Sequence, residues 1–155
     1  MVAGFVVLGG CTVAFGAALH QALGGRGGAP RLIQGAGLLT IAAGLLRRDQ
    51  MLLTPGSVSW HNHAHDVISV VIYVDLVVAQ VLLAARFGRD PRWRSWRPWV
   101  LASGLATGAV LVAFAADTSA PGAGVLQRVA VTIPLAVIAA IAIRLLRAPA
   151  GSGWP

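Results

Sequence analysis

The chain predicts an all-α, polytopic transmembrane helical bundle, and three observations carry that reading. Of its 155 residues, 57% are hydrophobic and 11% are charged, where an ordinary soluble domain is about a quarter charged. Its mean hydropathy is +0.76. Its apolar residues fall into five long runs separated by short Gly- and Pro-rich connectors, the pattern expected of helices crossing a hydrocarbon layer about 30 Å thick. A soluble chain of this length would need far more polar surface to cover its core. No connector has room for an extramembrane domain, so 1–155 reads as one transmembrane domain.

The spans are expected at about 2–23, 31–46, 64–86, 98–116 and 125–146. No positive side chain precedes the first run, so it lacks the basic region of a cleaved signal and reads as a mature helix. It contains Cys11, the sole cysteine, which leaves no intrachain disulfide to form. The second run is the shortest; little tilt or snorkelling arginines at its ends would let it cross. The third opens with the polar stretch SWHNHAHDV (59–67). The fourth carries Gly104 and Gly108 at a G-x-x-x-G step, with Thr40/Gly44 and Thr12/Gly16 as similar small pairs on earlier runs. Such steps let helix backbones approach closely in lipid, and the Gly104/Gly108 pair is also a candidate seam for a homo-oligomer. The fifth contains Pro134, expected to kink it or to be accommodated by a neighbour.

All twelve basic residues are Arg and all five acids are Asp, a usage that points to a GC-rich bacterial genome. The net charge of +7 could suggest nucleic acid. However, Arg86, Arg89, Arg92, Arg94 and Arg97 share one short connector with Trp93, Trp96 and Trp99. That is a cytoplasmic basic loop with an aromatic interfacial belt, and no nucleic-acid partner is expected. Arg26, Arg31, Arg144 and Arg147 agree with this side, and the connector with Asp117 has no arginine. Arg47 and Arg48 dissent, partly offset by Asp49. The expected arrangement is the bacterial cytoplasmic membrane, N-terminus outside and C-terminus inside. An odd number of spans with an outside N-terminus also raises the expectation of a six-helix bundle lacking its first helix.

On a helix from His61 onward, Asn62, His65, Asp66, Ser69, Tyr73 and Gln80 fall within roughly a 100° arc. Polar groups at membrane depth face protein or a cavity. Asp75 lies deep in the span and off this stripe, a buried acid whose candidate partners are Arg128, His20 or a hydroxyl. His61 and His65 stand at i and i+4, a spacing that lets two imidazoles share a ligand. Three readings stay open. A zinc site would use His61, His65 and Asp66 or Asp49. A proton path would use Asp66, Asp75, Tyr73 and His65. A hydrogen-bonded polar mouth needs neither metal nor cofactor, and is the reading preferred. No H-E-x-x-H, nucleophile elbow or phosphate loop occurs.

The motifs G-L-L-R-R-D (44–49), H-N-H-A-H-D (61–66) and G-V-L-Q-R-V (124–129) resemble those of the bacterial domain-of-unknown-function 998 family over about 31–147. Members look like six-helix integral membrane proteins without an assigned activity, so the resemblance implies fold and localisation more than function. It singles out Asp49, His65, Asp66, Gln127 and Arg128, and His61 less firmly. The chain departs from the pattern in having Asn62 where a small residue is common and in being one helix short.

The expectation for function is a non-enzymatic multi-pass membrane protein. Its outward-facing cluster of Asp49, His61, His65, Asp66, Asp117, Gln127 and Arg128 would be structural, or would bind a small polar ligand or lipid headgroup. Coupling of His65 and Asp66 to Arg128 is expected within it. The alternatives are a membrane-embedded, metal-dependent lipid hydrolase, loosely similar to ceramidase-like intramembrane hydrolases, and a small proton-linked transporter. The latter is disfavoured by the lack of a visible internal repeat.

Overall fold

The computed structural model describes residues 2–46, 59–116 and 122–147. They form five α-helices and no strand: α1 (Val2–Ala22), α2 (Gly28–Leu45), α3 (Trp60–Phe87), α4 (Arg97–Ala116) and α5 (Ala123–Arg147), with a 3-10 turn at Arg94–Trp96 before α4. Two helices start earlier than their apolar runs suggest. α3 begins at Trp60 because Ser59 caps it, its Oγ accepting from the Asn62 N–H. α2 takes in Gly28, Ala29 and Pro30, and proline is at home in a helix's first turn.

α1, α3, α4 and α5 are long and apolar enough to cross a membrane. α2 is not among them, since it carries Arg31, Gln34 and four glycines in its 18 residues. α1 ends on glycine: Gly24 adopts φ 70°, its N–H donates to the Gln21 carbonyl, and the Gly25 N–H donates to that of His20. This closes the helix on the left-handed conformation that glycine adopts without a Cβ penalty and turns the chain back into α2.

Each helix packs on its neighbour in sequence, and α5 also touches α3. The closest approach joins α1 to α2. A Cβ at Gly9 would fall 2.5 Å from the Gly37 carbonyl oxygen, and one at Gly37 would fall 2.7 Å from that of Gly9. Gly16 faces Pro30 and Gln34, and Gly44 receives the Phe5 ring. The register is antiparallel, with Gly9 and Gly16 one heptad apart on α1 and Gly37 and Gly44 one heptad apart on α2. Thr12 and Thr40 turn their hydroxyls onto their own helices, to the Leu8 and Ala36 carbonyls.

The Gly104/Gly108 step faces α3 of the same chain. Gly104 is the close contact, with a Cβ there 3.1 Å from Gln80 Cβ, whereas one at Gly108 would make only an ordinary contact with Val77 at 3.8 Å. Of the expected pair, the close approach is therefore made at Gly104. Pro134 is fully buried inside α5.

The apolar core gathers at the end carrying most of the arginines. Phe15, Leu19, Ile33, Leu83, Phe87, Trp93, Val100 and Ile141 meet there. The aromatic belt expected around the basic connector is only partly a belt. Trp99 is exposed, but Trp93 is 2% exposed, stacked on Phe87 at 4.6 Å between ring centroids and edge-on to Trp96. The Arg144 guanidinium lies 4.8 Å from the centre of the Trp93 ring and donates to the Arg92 carbonyl at 2.7 Å, pinning α5 to the connector. Arg86 donates to the Leu23 carbonyl, tying α3 to the α1–α2 turn.

Candidate functional site

The opposite end of the molecule holds α1's start, α2's end, the start of α3 and the start of α5. Of the residues expected to cluster there, Asp49 and Asp117 lie outside the described residues. His65 turns its Nδ1 to the Ala43 carbonyl at 3.0 Å and sits edge-on to Phe5, so one imidazole joins α1, α2 and α3. His61 instead stacks on Trp60 at 3.7 Å, both rings being exposed. The two histidines at i and i+4 thus serve different neighbours. Asn62 Nδ2 donates to Asp66 Oδ2 at 3.1 Å along the helix. Among the described residues, no three His, Cys, Asp or Glu side chains group as a metal ion would require.

The polar stripe of α3 does not converge on one site. His65 reaches α2; Tyr73 is within hydrogen-bonding reach of Gln127 on α5; and Gln80, 4% exposed, meets Ser103 on α4, with Gln80 Oε1 2.6 Å from the hydroxyl. Ser69 returns its hydroxyl to the His65 carbonyl. A stripe on a helix with neighbours on several sides is divided among them at different depths, and each buried polar atom is satisfied locally, as an apolar surrounding demands. Asp75 points to α2, where Gly35 leaves space: a Cβ there would stand 3.6 Å from Asp75 Oδ2. None of the partners expected for it, Arg128, His20 or a hydroxyl, hydrogen-bonds or ion-pairs with it among the described residues.

Gln127 and Arg128, with Val131 and Thr132, line an open depression of about 280 Å³ on α5. Two contacts border it. Tyr73 holds Gln127. Thr132 donates its hydroxyl to the Arg128 carbonyl at 2.8 Å, which leaves its methyl and Val131 as an apolar floor. The Arg128 side chain is exposed and makes no ion pair or hydrogen bond with a described residue. The expected coupling of His65 and Asp66 to Arg128 is therefore not formed among the described residues; α5 instead comes within reach of α3 at Gln127. The chemistry available is a forked cation and an amide above an apolar floor, which suits an oxyanion carried on an apolar body. The sequence singled out Gln127 and Arg128 but not Thr132, whose only signal is its place one turn after Arg128.

A family model described as a protein of unknown function, DUF998, matches residues 1–144. The match takes in α1, which the motif resemblance over 31–147 left out. No curated protein and no solved structure matches the chain.

Proposed function

The chain belongs to the DUF998 family of proteins of unknown function, and from that premise we propose that it is a multi-pass protein of the bacterial cytoplasmic membrane that binds a small anionic group at its histidine-bearing end. The N-terminus is outside and the C-terminus inside, so this end faces out. The observation carrying the reading is Arg128. It is a guanidinium in the second turn of a membrane helix, exposed beside Gln127 over an apolar floor. An ionisable group inside a membrane span is costly and marks a functional position by default. The ligand's shared chemistry is a phosphate or carboxylate, free or borne by a lipid headgroup.

The test is a melting-temperature titration of detergent-purified protein with inorganic phosphate and, separately, with short-chain phosphatidylglycerol. Stabilisation by phosphate alone identifies a free anion, and stabilisation by the lipid alone identifies a headgroup. Arg128→Gln should weaken the effective ligand about tenfold or more, the worth of a hydrogen bond to a charged group. A variant that responds like the wild type would remove Arg128 from the site and the reading with it.

A further inference from the structure

Apart from Arg97, whose side chain lies against Gly88, the arginines at the opposite end of the bundle divide into two sets by what they touch. Arg86 and Arg144 are spent on backbone carbonyls, and Arg92 is held by Asp90. Arg89, Arg94 and Arg147 are exposed, and their side chains make no hydrogen bond or ion pair with a described residue. Arg26 and Arg31, on the neighbouring α1–α2 turn, stand the same way. Asp90 is the only acid described at this end, and Arg92 already occupies it. Trp99, 76% exposed at the start of α4, marks the depth at which this surface meets the lipid interface.

The connector bearing Arg89 and Arg94 is not a loose loop. Trp93 anchors it in the core, clamped between Phe87 and Arg144, and the 3-10 turn at Arg94–Trp96 carries it directly into α4. The free guanidiniums therefore project from a fixed platform whose ordering cost is met by folding.

We propose that this platform is a binding surface for the phosphate headgroups of anionic phospholipids in the adjacent leaflet, with Arg89, Arg94 and Arg147 as the lipid-contacting cations. Arg86, Arg92 and Arg144 build the platform without reading the lipid. Basic residues next to an anionic bilayer surface each strengthen the attraction, and the effect fades within a Debye length as salt rises. The surface lies at the other end of the helices from Arg128, so the two sites are separable.

The experiment uses the Arg128→Gln protein as reference, which silences the outward depression whether or not that site binds lipid. Protein in micelles containing equal phosphatidylglycerol and phosphatidylcholine is analysed by native mass spectrometry for the ratio of the two lipids retained. The reference should favour the anionic lipid, and the preference should shrink as sodium chloride is raised. Adding R89Q, R94Q and R147Q together should reduce the ratio at least fivefold, about the effect of one arginine at an anionic surface. The matching lysine variant, which keeps the charges, should retain most of it. Parity between the lipids in the reference, a ratio indifferent to salt, or a glutamine variant that keeps the full preference would each overturn the proposal. Should the glutamine variant fail to fold, the salt dependence of the reference decides.

Discussion

Asp90 and Arg92 form the one ion pair among the described residues, with Arg92 Nη2 3.1 Å from Asp90 Oδ2 and the Arg92 N–H also donating to Asp90 Oδ1. The Arg92 guanidinium beside it holds the Asp90 carboxyl below its ordinary range, against a smaller opposing effect of burial. A carboxyl whose folded pKa lies below its unfolded one contributes stability that is fully present above the unfolded value and is lost as pH falls through the folded one. Since Arg92 is nearly half exposed (48%), solvent screening limits the pair to under about 1 kcal/mol. Asp90→Asn should therefore lower stability slightly at about pH 7, and the gap from wild type should close below the ordinary carboxylate pKa of about 3.9. Melting curves across that window in neutral detergent check it, and a gap that persists in acid would show that Asp90 acts through packing. At this scale the sequence was informative about residue type and poor about partners. The family resemblance pointed to Gln127 and Arg128, yet which of them reaches α3 depends on the rotation of α5, which composition does not encode. The same limit hid His65's bond to a backbone carbonyl.

Among the elements, the α1–α2 seam makes the sharpest demand on side-chain size. Gly9→Leu or Gly37→Leu would drive a side chain into backbone atoms of the facing helix and should cost about 1–3 kcal/mol or more. Gly10→Leu, which meets nothing within 4 Å, should leave stability unchanged. On α4, Gly104→Leu should cost more than Gly108→Leu. Melting temperatures of the five variants in one detergent rank these directly, and a Gly10 variant as damaged as Gly9 would dismiss the seam. Four of the helices were legible from apolar length, because a bilayer forces each crossing segment to satisfy its backbone internally; α2 was legible from a shorter run between Gly- and Pro-rich connectors. The seam was not. A search for small residues four apart finds Gly104/Gly108, but α1 and α2 meet through glycines seven apart, a spacing that also recurs on one helix face and is easily lost in a glycine-rich chain. Trp93 was misjudged for a related reason: an aromatic among arginines looks interfacial until the turn at Arg94–Trp96 folds it inward.

For the whole molecule, charge and core coincide at one end. The arginine-bearing end also holds most of the buried apolar side chains, while the histidine-bearing end is joined by separate polar contacts. In the proposed orientation, which rests on the arginine asymmetry, the first end faces the cytoplasm. In a Cys11→Ala background, which removes the exposed native thiol, a cysteine placed at 92 should resist an impermeant label in intact cells and one at 121 should accept it. The reverse pattern would invert the orientation and turn the Arg128 depression inward.

The weak apolarity of α2 has a consequence for how the protein is made. A segment with Arg31, Gln34 and four glycines in 18 residues has little drive to leave the translocon alone. Yet α1 offers a facing surface that receives Gly37 and Gly44 and covers Gln34 where it meets Gly16. On the membrane reading, the expectation is that the first two helices insert together as a hairpin, α1 supplying the facing surface that α2 needs. A side chain too large at Gly9 would then act before any folded protein exists, by leaving α2 stranded in water during translation.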